Sequence, residues 1–358
     1  MNRAVLLLAD GTRFEGTGLA TPGVALGEAV FFTGMTGYEE ALTDPSYAGQ
    51  ILNFTYPMIG NYGISYEVAQ YPRACVAGAV IKQLARHPSH HASKSSLGDW
   101  LDAQRVPTIV GIDTRSLTIA LREHGTIGAA LAVGEAAIAR AEADLAYYVR
   151  AATTKGLVES VVLSANGQST RPHSGKHIVL IDCGVKRAIV RQLEALDATV
   201  TVLPYDASRD EINAYDPDGI VISPGPGDPQ DLAGMIATLR SLLGERPMFG
   251  VCLGHQMLAL ACGASTYKLK YGHRGGNQPV KDLRNSGVLV TAHNHGYAVD
   301  GASLPADLEA TMINLNDGTN EGFRHRTLPV SGVQFHPEAS PGPFDAGYLF
   351  AQWIASLN

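Results

Sequence analysis

The stretch Phe249–Leu258 reads FGVCLGHQML and places Cys252 between two glycines. The apolar run PMFGVC predicts a buried strand, and LGHQMLALACG predicts a helix that ends at Gly263. Cys252 therefore stands where a strand turns into a helix. One interpretation is a small apolar side chain packed in the core. The other is a nucleophile, because a helix N-terminus favours a thiolate and a sharp turn exposes the sulfur. These residues alone leave both interpretations open.

Strands and helices alternate through the whole C-terminal half. The runs HIVLID, ATVTVLPYD, GIVIS and PMFGVC are apolar enough to predict buried strands. Val185–Leu196 has apolar residues at helical spacing. Alternation with short links predicts an α/β fold with a doubly wound, mostly parallel sheet, whose site lies at the carboxyl ends of the strands.

The N-terminal half has a different pattern. VLLLADGTRFEGTGLA predicts a hairpin that turns at Asp10–Gly11, and GEAVFFTGMTG and QILNFTYP predict further strands. Helices are expected around Ser95–Gln104 and Asp113–His124. The polar run SANGQSTRPHSGK has no periodicity and is typical of a linker. We therefore expect a smaller α+β domain at residues 1–163, a linker at 164–175 and the doubly wound domain at 176–358.

Composition excludes several classes of function. The 358 residues include 27 Lys and Arg against 34 Asp and Glu, a net charge of −7, and the basic residues are scattered. A nucleic-acid partner is therefore not expected. No apolar run approaches the roughly 20 residues that span a bilayer, so no membrane partner is expected either. Four cysteines without a CxxC pair make no disulfide framework, which favours a cytoplasmic protein.

A base for the cysteine is suggested by the segment GVQFHPEASPGP. His336 follows the predicted strand VSGVQF, which places it on the same edge of the sheet as Cys252. Glu338 lies two residues later, and in an extended chain positions i and i+2 point the same way. A carboxylate so placed orients an imidazole and stabilises its charged form. The alternative is a proline-rich surface turn whose polar side chains are merely solvated.

Donors for an oxyanion are expected from two backbone N–H groups. Leu253 follows the candidate nucleophile, and Gly225 lies in the loop SPGPGDP, whose glycines allow a ligand to approach closely. The alternative for this loop is an ordinary turn. The histidines of RHPSHHAS have no acidic or cysteine ligand nearby, so a solvated loop is expected there and no metal site is predicted.

Together, SPGPGDP, GVCLGHQMLAL and QFHPEAS resemble the class I (triad) glutamine amidotransferases. The N-terminal runs ADGTRFEGTG, GEAVFFTGMTGYEEALTDPSYAGQI, TYPMIGNYG and GIDTRSLTIALREHG resemble the small subunits of carbamoyl-phosphate synthase, and this resemblance covers nearly the whole chain. It implies glutamine hydrolysis through a glutamyl thioester on Cys252, with His336 as base and Glu338 as its orienting carboxylate. The ammonia would serve carbamoyl phosphate synthesis for arginine and pyrimidines.

The resemblance also implies glutamine-binding residues, with a serine reaching in from the N-terminal domain: Ser46, Gly225, Gly227, Leu253, Gln256, Asn294, Gly296 and Tyr297. A few positions depart from the family pattern. They are Cys183, Ala188, Ile119, His293 and Tyr297, where an aromatic residue, an asparagine, an arginine, a glutamine and a phenylalanine are expected.

The chain has no GxxxxGK[ST] loop and no other convincing ATP site. The resemblance therefore implies a large synthetase subunit that receives the ammonia and uses ATP and magnesium, while no cofactor is expected in this chain. A higher oligomer of that heterodimer is a further expectation. Three alternatives stay open at this point: another amidotransferase, a cysteine hydrolase of a γ-glutamyl peptide, and a non-enzymatic assembly subunit.

Overall fold

The structure is a computed structural model that describes residues 2–19, 22–151, 156–163, 168–170 and 174–357. The chain forms two compact units, Met1–Thr154 and Lys155–Asn358. Within the expected linker, residues 164–167 and 171–173 lie outside the described residues. No described helix is both long enough and apolar enough to cross a membrane.

The first unit combines strands with helices. Its described strands are β1 (Asn2–Leu8), β2 (Arg13–Leu19), β3 (Gly23–Phe32), β4 (Gln50–Phe54), β5 (Met58–Ile59), β6 (Gly78–Ile81), β7 (Gln83–Leu84), β8 (Thr108–Val110) and β9 (Ile127–Val133). Its helices are α1 (Tyr38–Thr43), α2 (Leu97–Ala103), α3 (Thr114–His124), α4 (Glu135–Ala143) and α5 (Leu145–Ala151).

Strands of the first unit close into a barrel in the order β1-β2-β8-β6-β4-β3-β9. The predicted hairpin is confirmed, since β1 and β2 pair antiparallel around Asp10–Gly11, and Gly11 has the positive φ that such a turn requires. Helices α2 and α3 are also confirmed: each begins after a side chain, Ser96 or Asp113, that accepts a backbone N–H of the first turn. Closure of the barrel, by β9 pairing with β1, was not predicted.

The second unit contains the candidate nucleophile. Its described strands are β10 (Gln168–Ser169), β11 (His177–Asp182), β12 (Thr199–Pro204), β13 (Gly219–Ile222), β14 (Met248–Val251), β15 (Thr266–Asp282), β16 (Val288–Val299), β17 (Leu308–Asn314), β18 (Asn320–His325) and β19 (Val330–Val333). Its helices are α6 (Leu157–Val161), α7 (Arg187–Ala195), α8 (Arg209–Asn213), α9 (Ala233–Leu242), α10 (Leu253–Ala261) and α11 (Tyr348–Ala355).

These strands form one sheet in the order β10-β12-β11-β13-β14-β19-β18-β17-β15-β16. The block from β12 to β19 is parallel, and the strands beyond it pair antiparallel. Alternate residues of β11 point into two hydrophobic cores on opposite faces of the sheet. Val179 and Ile181 lie in one core, and Ile178 and Leu180 lie in the other. The predicted α/β class with a doubly wound parallel sheet is confirmed. The antiparallel extension was not predicted.

Candidate active site

The turn from β14 into α10 is strained and tightly packed. Cys252 has φ 54° and ψ −104°, a conformation that costs a side-chain-bearing residue about 1–3 kcal/mol. A Cβ on Gly254 would lie 2.2 Å from the carbonyl oxygen of Ile222, and one on Gly250 would lie 2.5 Å from the backbone of Gly254. The flanking glycines are therefore needed for the close approach of strand and helix. This geometry lifts Cys252 to the carboxyl end of the parallel strands.

The sulfur of Cys252 is buried among polar groups. Its Sγ lies 3.8 Å from the carbonyl oxygen of Asn294 and 3.6 Å from Nε2 of Gln334. The N–H of Cys252 donates to Val333, which ties the turn to β19. Gln334 was missed by the sequence analysis. It lies directly after β19 in a bent segment, two residues before His336, and no local signal in the sequence identifies it.

A buried array of charges lies next to this sulfur. Nδ1 of His336 lies 2.6 Å from Oε1 of Glu338, and Nζ of Lys186 lies 2.9 Å from the same oxygen. All three side chains are at least 97% buried. The N–H of Ala339 donates to His336, so residues 336–339 form a turn and the expected extended geometry is wrong. The turn nevertheless brings the imidazole and the carboxylate together.

Lys186 was also missed, because a single lysine before a helix carries no motif. It determines the charge state of the array. Burial disfavours the charged forms of His336 and Glu338, yet the charge and hydrogen bond of Glu338, with a contribution from Cys252, raise the pKa of His336. The charge of Lys186, with that of His336, holds the pKa of Glu338 below its usual range. Carboxylate and imidazolium are therefore the stable forms at neutral pH.

The second ring nitrogen of the imidazole, Nε2 of His336, is free to take part in proton transfer. Nε2 of His336 is buried and makes no hydrogen bond with a described residue. The backbone N–H of His336 donates to Ala292 on β16, two residues before Asn294, whose carbonyl oxygen contacts the sulfur of Cys252. The imidazole and the sulfur therefore lie on neighbouring segments, as an acyl transfer through cysteine requires of its base and nucleophile.

The two residues expected to donate to an oxyanion lie close together. Leu253 is the first residue of α10, so its N–H lies outside the helical hydrogen-bond ladder. A Cβ on Gly225 would lie 2.8 Å from Cδ2 of Leu253 and 2.1 Å from the carbonyl oxygen of Cys183. Only glycine therefore fits at position 225, where the loop after β13 reaches the start of α10. Both N–H groups belong to segments at the end of the parallel strands where Cys252 lies.

Comparisons with known proteins cover both units. Residues 179–355 match the family Glutamine amidotransferase class-I, and residues 6–131 match Carbamoyl-phosphate synthase small chain, CPSase domain. The carbamoyl phosphate synthase small chain of Symbiobacterium thermophilum is 46% identical over 98% of both chains. Those of Listeria monocytogenes and Archaeoglobus fulgidus are each 44% identical, over 100% and 99% of this chain and 98% and 99% of theirs.

The chain belongs to the carbamoyl-phosphate synthase small chains. The second unit is thus a glutamine amidotransferase domain, and the enzyme class predicted from the sequence, a glutamine-hydrolysing subunit, is confirmed. The match over residues 6–131 favours this family over another amidotransferase.

Other predicted glutamine-binding residues fall on segments around the cysteine. Asn294, Gly296 and Tyr297 lie close together on β16. The carbonyl oxygen of Asn294 contacts the sulfur of Cys252. Nε2 of Gln256 donates to the carbonyl oxygen of Tyr297 at 2.6 Å, so α10 and β16 are joined there. Gly227, with φ 92°, lies in the loop after β13.

The remaining predicted residue, Ser46, belongs to the first unit. It lies in a short 3₁₀ turn, Pro45–Tyr47, where its N–H donates to the side chain of Asp44. Ser46 is 5% exposed, and its buried Oγ has no hydrogen-bond partner among the described residues. Of the positions that depart from the family pattern, Ile119 is exposed on α3 and Ala188 is buried on α7.

Proposed function

We propose that Cys252, His336 and Glu338 hydrolyse the side-chain amide of L-glutamine and that a large synthetase subunit receives the ammonia. The observation that carries this proposal is the strained cysteine turn beside a buried imidazole, carboxylate and ammonium. Membership in the small-chain family supplies the substrate class.

In the first half-reaction, Cys252 attacks the amide carbon as a thiolate that is paired with the imidazolium of His336. The tetrahedral oxyanion accepts hydrogen bonds from the N–H groups of Leu253 and Gly225. One such donor is typically worth about 100- to 1000-fold in rate. Nε2–H of His336 then protonates the leaving nitrogen, the C–N bond breaks, and ammonia leaves a glutamyl thioester on Cys252.

In the second half-reaction, His336 is neutral and can accept a proton. It takes one from water as the oxygen adds to the thioester carbon, and the C–S bond then breaks to release glutamate and the Cys252 thiolate. His336 is an imidazolium again. Glu338 stabilises that charge throughout, and Lys186 keeps Glu338 ionised, so the ring is held in one orientation.

The ammonia needs a protected route, since in neutral water it is mostly protonated and ammonium has no lone pair for attack. We propose a large subunit that uses ATP and magnesium to make carbamoyl phosphate from bicarbonate, and a higher oligomer of the resulting heterodimer. Within the second unit, the glutamine would contact Gly227, Gln256 and the segment 294–297. We also propose a cytoplasmic location, which the four free cysteines support.

The test measures glutamate release from glutamine by the purified chain, with and without a carbamoyl-phosphate synthase large subunit. Wild type should release glutamate slowly alone and faster with the large subunit, and Cys252→Ala should release none. Cys262→Ala, a matched change at the end of α10, should behave as wild type. Acid quenching followed by mass spectrometry should find a glutamyl adduct on the peptide that contains Cys252.

Two results would overturn the proposal. Glutamate release by Cys252→Ala would return that cysteine to a packing role. Full-rate glutamate release that is the same with and without the large subunit would indicate an independent hydrolase. It would contradict the proposed transfer of ammonia.

A further inference from the structure

Three histidines and one glutamate meet in the antiparallel part of the second unit. This histidine–glutamate cluster consists of His273 on β15, His293 and His295 on β16, and Glu321 on β18. One ligand atom from each side chain lies within 4.8 Å of the other three. All four side chains are buried, with at most 7% of their surface exposed. The cluster lies outside the catalytic array, and the sequence analysis predicted no metal site.

Hydrogen bonds fix the protons of two rings. Nδ1 of His295 lies 2.8 Å from the carbonyl oxygen of Tyr297, which can only accept, so Nδ1 carries the proton. Thr291 Oγ1 donates to the carbonyl oxygen of Gln278 and therefore accepts from Nε2 of His293, 2.7 Å away. The two remaining nitrogens, His293 Nδ1 and His295 Nε2, lie 3.1 Å apart. In neutral rings each presents a lone pair to the other, and such a contact needs a cation.

The other two members also direct unused atoms at this point. Nε2 of His273 donates to the carboxylate of Asp317 at 2.9 Å, while its buried Nδ1 lies 3.5 Å from Oε1 of Glu321 and makes no hydrogen bond with any residue that the structure describes. Oε1 of Glu321 accepts from Asn314 at 3.1 Å, while its buried Oε2 has no hydrogen-bond partner within the described part of the chain. That Oε2 lies 3.8 Å from Nδ1 of His293. Four lone-pair atoms thus converge on one buried place.

We propose that His273, His293, His295 and Glu321 bind one Zn²⁺ ion. Imidazole nitrogen and carboxylate oxygen are zinc ligands, and bonds of about 2.0–2.1 Å place tetrahedral ligand atoms about 3.3–3.4 Å apart. The separations of His293 Nδ1 from His295 Nε2 and from Glu321 Oε2, 3.1 and 3.8 Å, bracket that distance. Side-chain rotations that shorten the remaining separations, which are at most 4.8 Å, would complete the tetrahedron.

The surroundings match those of a metal centre. Ligating histidines in proteins usually donate their second N–H to a carbonyl, a carboxylate or another fixed acceptor, which sets the ring orientation. Here the three acceptors are a backbone carbonyl, a hydroxyl and a carboxylate, on Tyr297, Thr291 and Asp317. The carboxylates of Glu321 and Asp317 together balance the charge of a divalent ion. Four protein ligands leave no open position, so the ion is structural.

The position of the ion gives it a consequence for the active site. Asn294 lies between two of the ligands on β16, and its carbonyl oxygen contacts the sulfur of Cys252. Zinc would hold the backbone of this segment fixed, and with it the strand that carries Gly296 and Tyr297. The ion therefore positions the segment and takes no part in the chemistry.

The first measurement is the metal content of the full chain, purified without a histidine tag and dialysed free of loose metal. We expect about one zinc ion per chain by inductively coupled plasma mass spectrometry. The metal-free chain, titrated with Co²⁺, should give the strong visible absorption of a tetrahedral site that saturates at one equivalent. The titration uses Cys252→Ser, so that a catalytic thiolate cannot supply the signal.

Variants then assign the site. His293→Gln removes one ligand and should weaken zinc binding about 100-fold or more, and Thr291→Val, which removes an acceptor behind a ligand, about 10- to 100-fold. His90→Gln, in the exposed loop of the first unit, is the matched control and should leave the affinity unchanged.

Several outcomes would overturn the inference. A wild-type chain without zinc, together with no tetrahedral cobalt spectrum in Cys252→Ser, would mean that a shared proton holds the rings together. Zinc affinity that His293→Gln leaves unchanged would place the metal elsewhere. Retention of manganese or iron in place of zinc would refute the choice of metal. If His293→Gln does not fold, the cobalt titration decides alone.

Discussion

Lys186→Met should destabilise the second unit by several kcal/mol. The ammonium of Lys186 is 2.9 Å from the carboxylate of Glu338, with 2% and 0% of these side chains exposed. Methionine keeps the length and the apolar stem of the lysine but removes the charge. Among the described residues, the buried carboxylate would then keep His336 as its charged partner.

The magnitude follows from the geometry. At 2.9 Å and an effective dielectric constant of about 20, the attraction between the two charges is about 6 kcal/mol. Removing the ammonium also removes the free-energy cost of burying it, which offsets part of this loss. Breaking a buried pair by deleting one partner typically costs about 3–5 kcal/mol, because the other charge stays buried. We expect a loss of that size in the free energy of unfolding.

Urea unfolding followed by tryptophan fluorescence measures this loss. The chain has two tryptophans, Trp100 in the first unit and Trp353 in the core of the second. A Trp100→Phe background therefore makes the signal report the second unit. Lys270→Met, at an exposed lysine of β15, is the control and should change stability by no more than about 0.5 kcal/mol.

A double-mutant cycle and a pH profile separate pairing from simple packing. Lys186→Met combined with Glu338→Gln should lose about 1–3 kcal/mol less than the sum of the single losses. Lys186 also opposes protonation of His336, so its removal should raise the pKa of that imidazole. Glutamine hydrolysis, which needs neutral His336 for its water step, should then require a higher pH. Additive losses and an unshifted pH profile would refute the reasoning.

Three further predictions concern the cysteine turn and its charge array. Gly254→Ala should abolish glutamine hydrolysis and lower the melting temperature, because the added Cβ would lie 2.2 Å from a carbonyl oxygen of β13. Gly234→Ala on α9 is the control: its added Cβ would have no atom within 4 Å, so it should not destabilise the protein. Equal melting temperatures for the two variants would contradict this. Cys252→Gly should exceed Cys252→Ala in stability by about 1 kcal/mol in urea, since glycine adopts φ 54° without strain, and a lower stability would count against the strain. The lowered pKa of Glu338 stabilises the fold above the ordinary pKa of 4.5, and this contribution is lost as pH falls through the lowered pKa. The raised pKa of His336 stabilises the fold below the ordinary pKa of 6.5, and this contribution is lost as pH rises through the raised pKa. The thermal advantage of wild type over Glu338→Gln should therefore be greatest between pH 4.5 and 6.5 and shrink at alkaline pH, and a constant difference from pH 5 to 9 would refute the assignment.

Local signals predicted much of the fold. The hairpin at Asp10–Gly11, the capped helices α2 and α3, and the strands and helices of the parallel block all follow from turn chemistry and periodicity over fewer than about 15 residues. Closure of the barrel does not, because β1 and β9 lie more than 100 residues apart and period-two patterns do not specify partners. The antiparallel extension β18-β17-β15-β16 escaped prediction for the same reason.

The same division applies to the candidate site. By itself the sequence determined the cysteine turn, since glycines at positions 250 and 254 are a local requirement of a backbone that approaches its neighbours closely. It also placed a histidine and a glutamate on the same edge of the sheet. It could not identify Lys186, whose Nζ donates to the carbonyl oxygen of Ala339, 153 residues later.

The tertiary structure alone decided the buried electrostatics. Charge state depends on which groups share a low-dielectric site, and the sheet brings together side chains that the chain keeps far apart. The tertiary structure thus adds a buried lysine, Lys186, to the three predicted catalytic residues. Likewise, His273, His293, His295 and Glu321 become one cluster only because β15, β16 and β18 lie close together in the sheet.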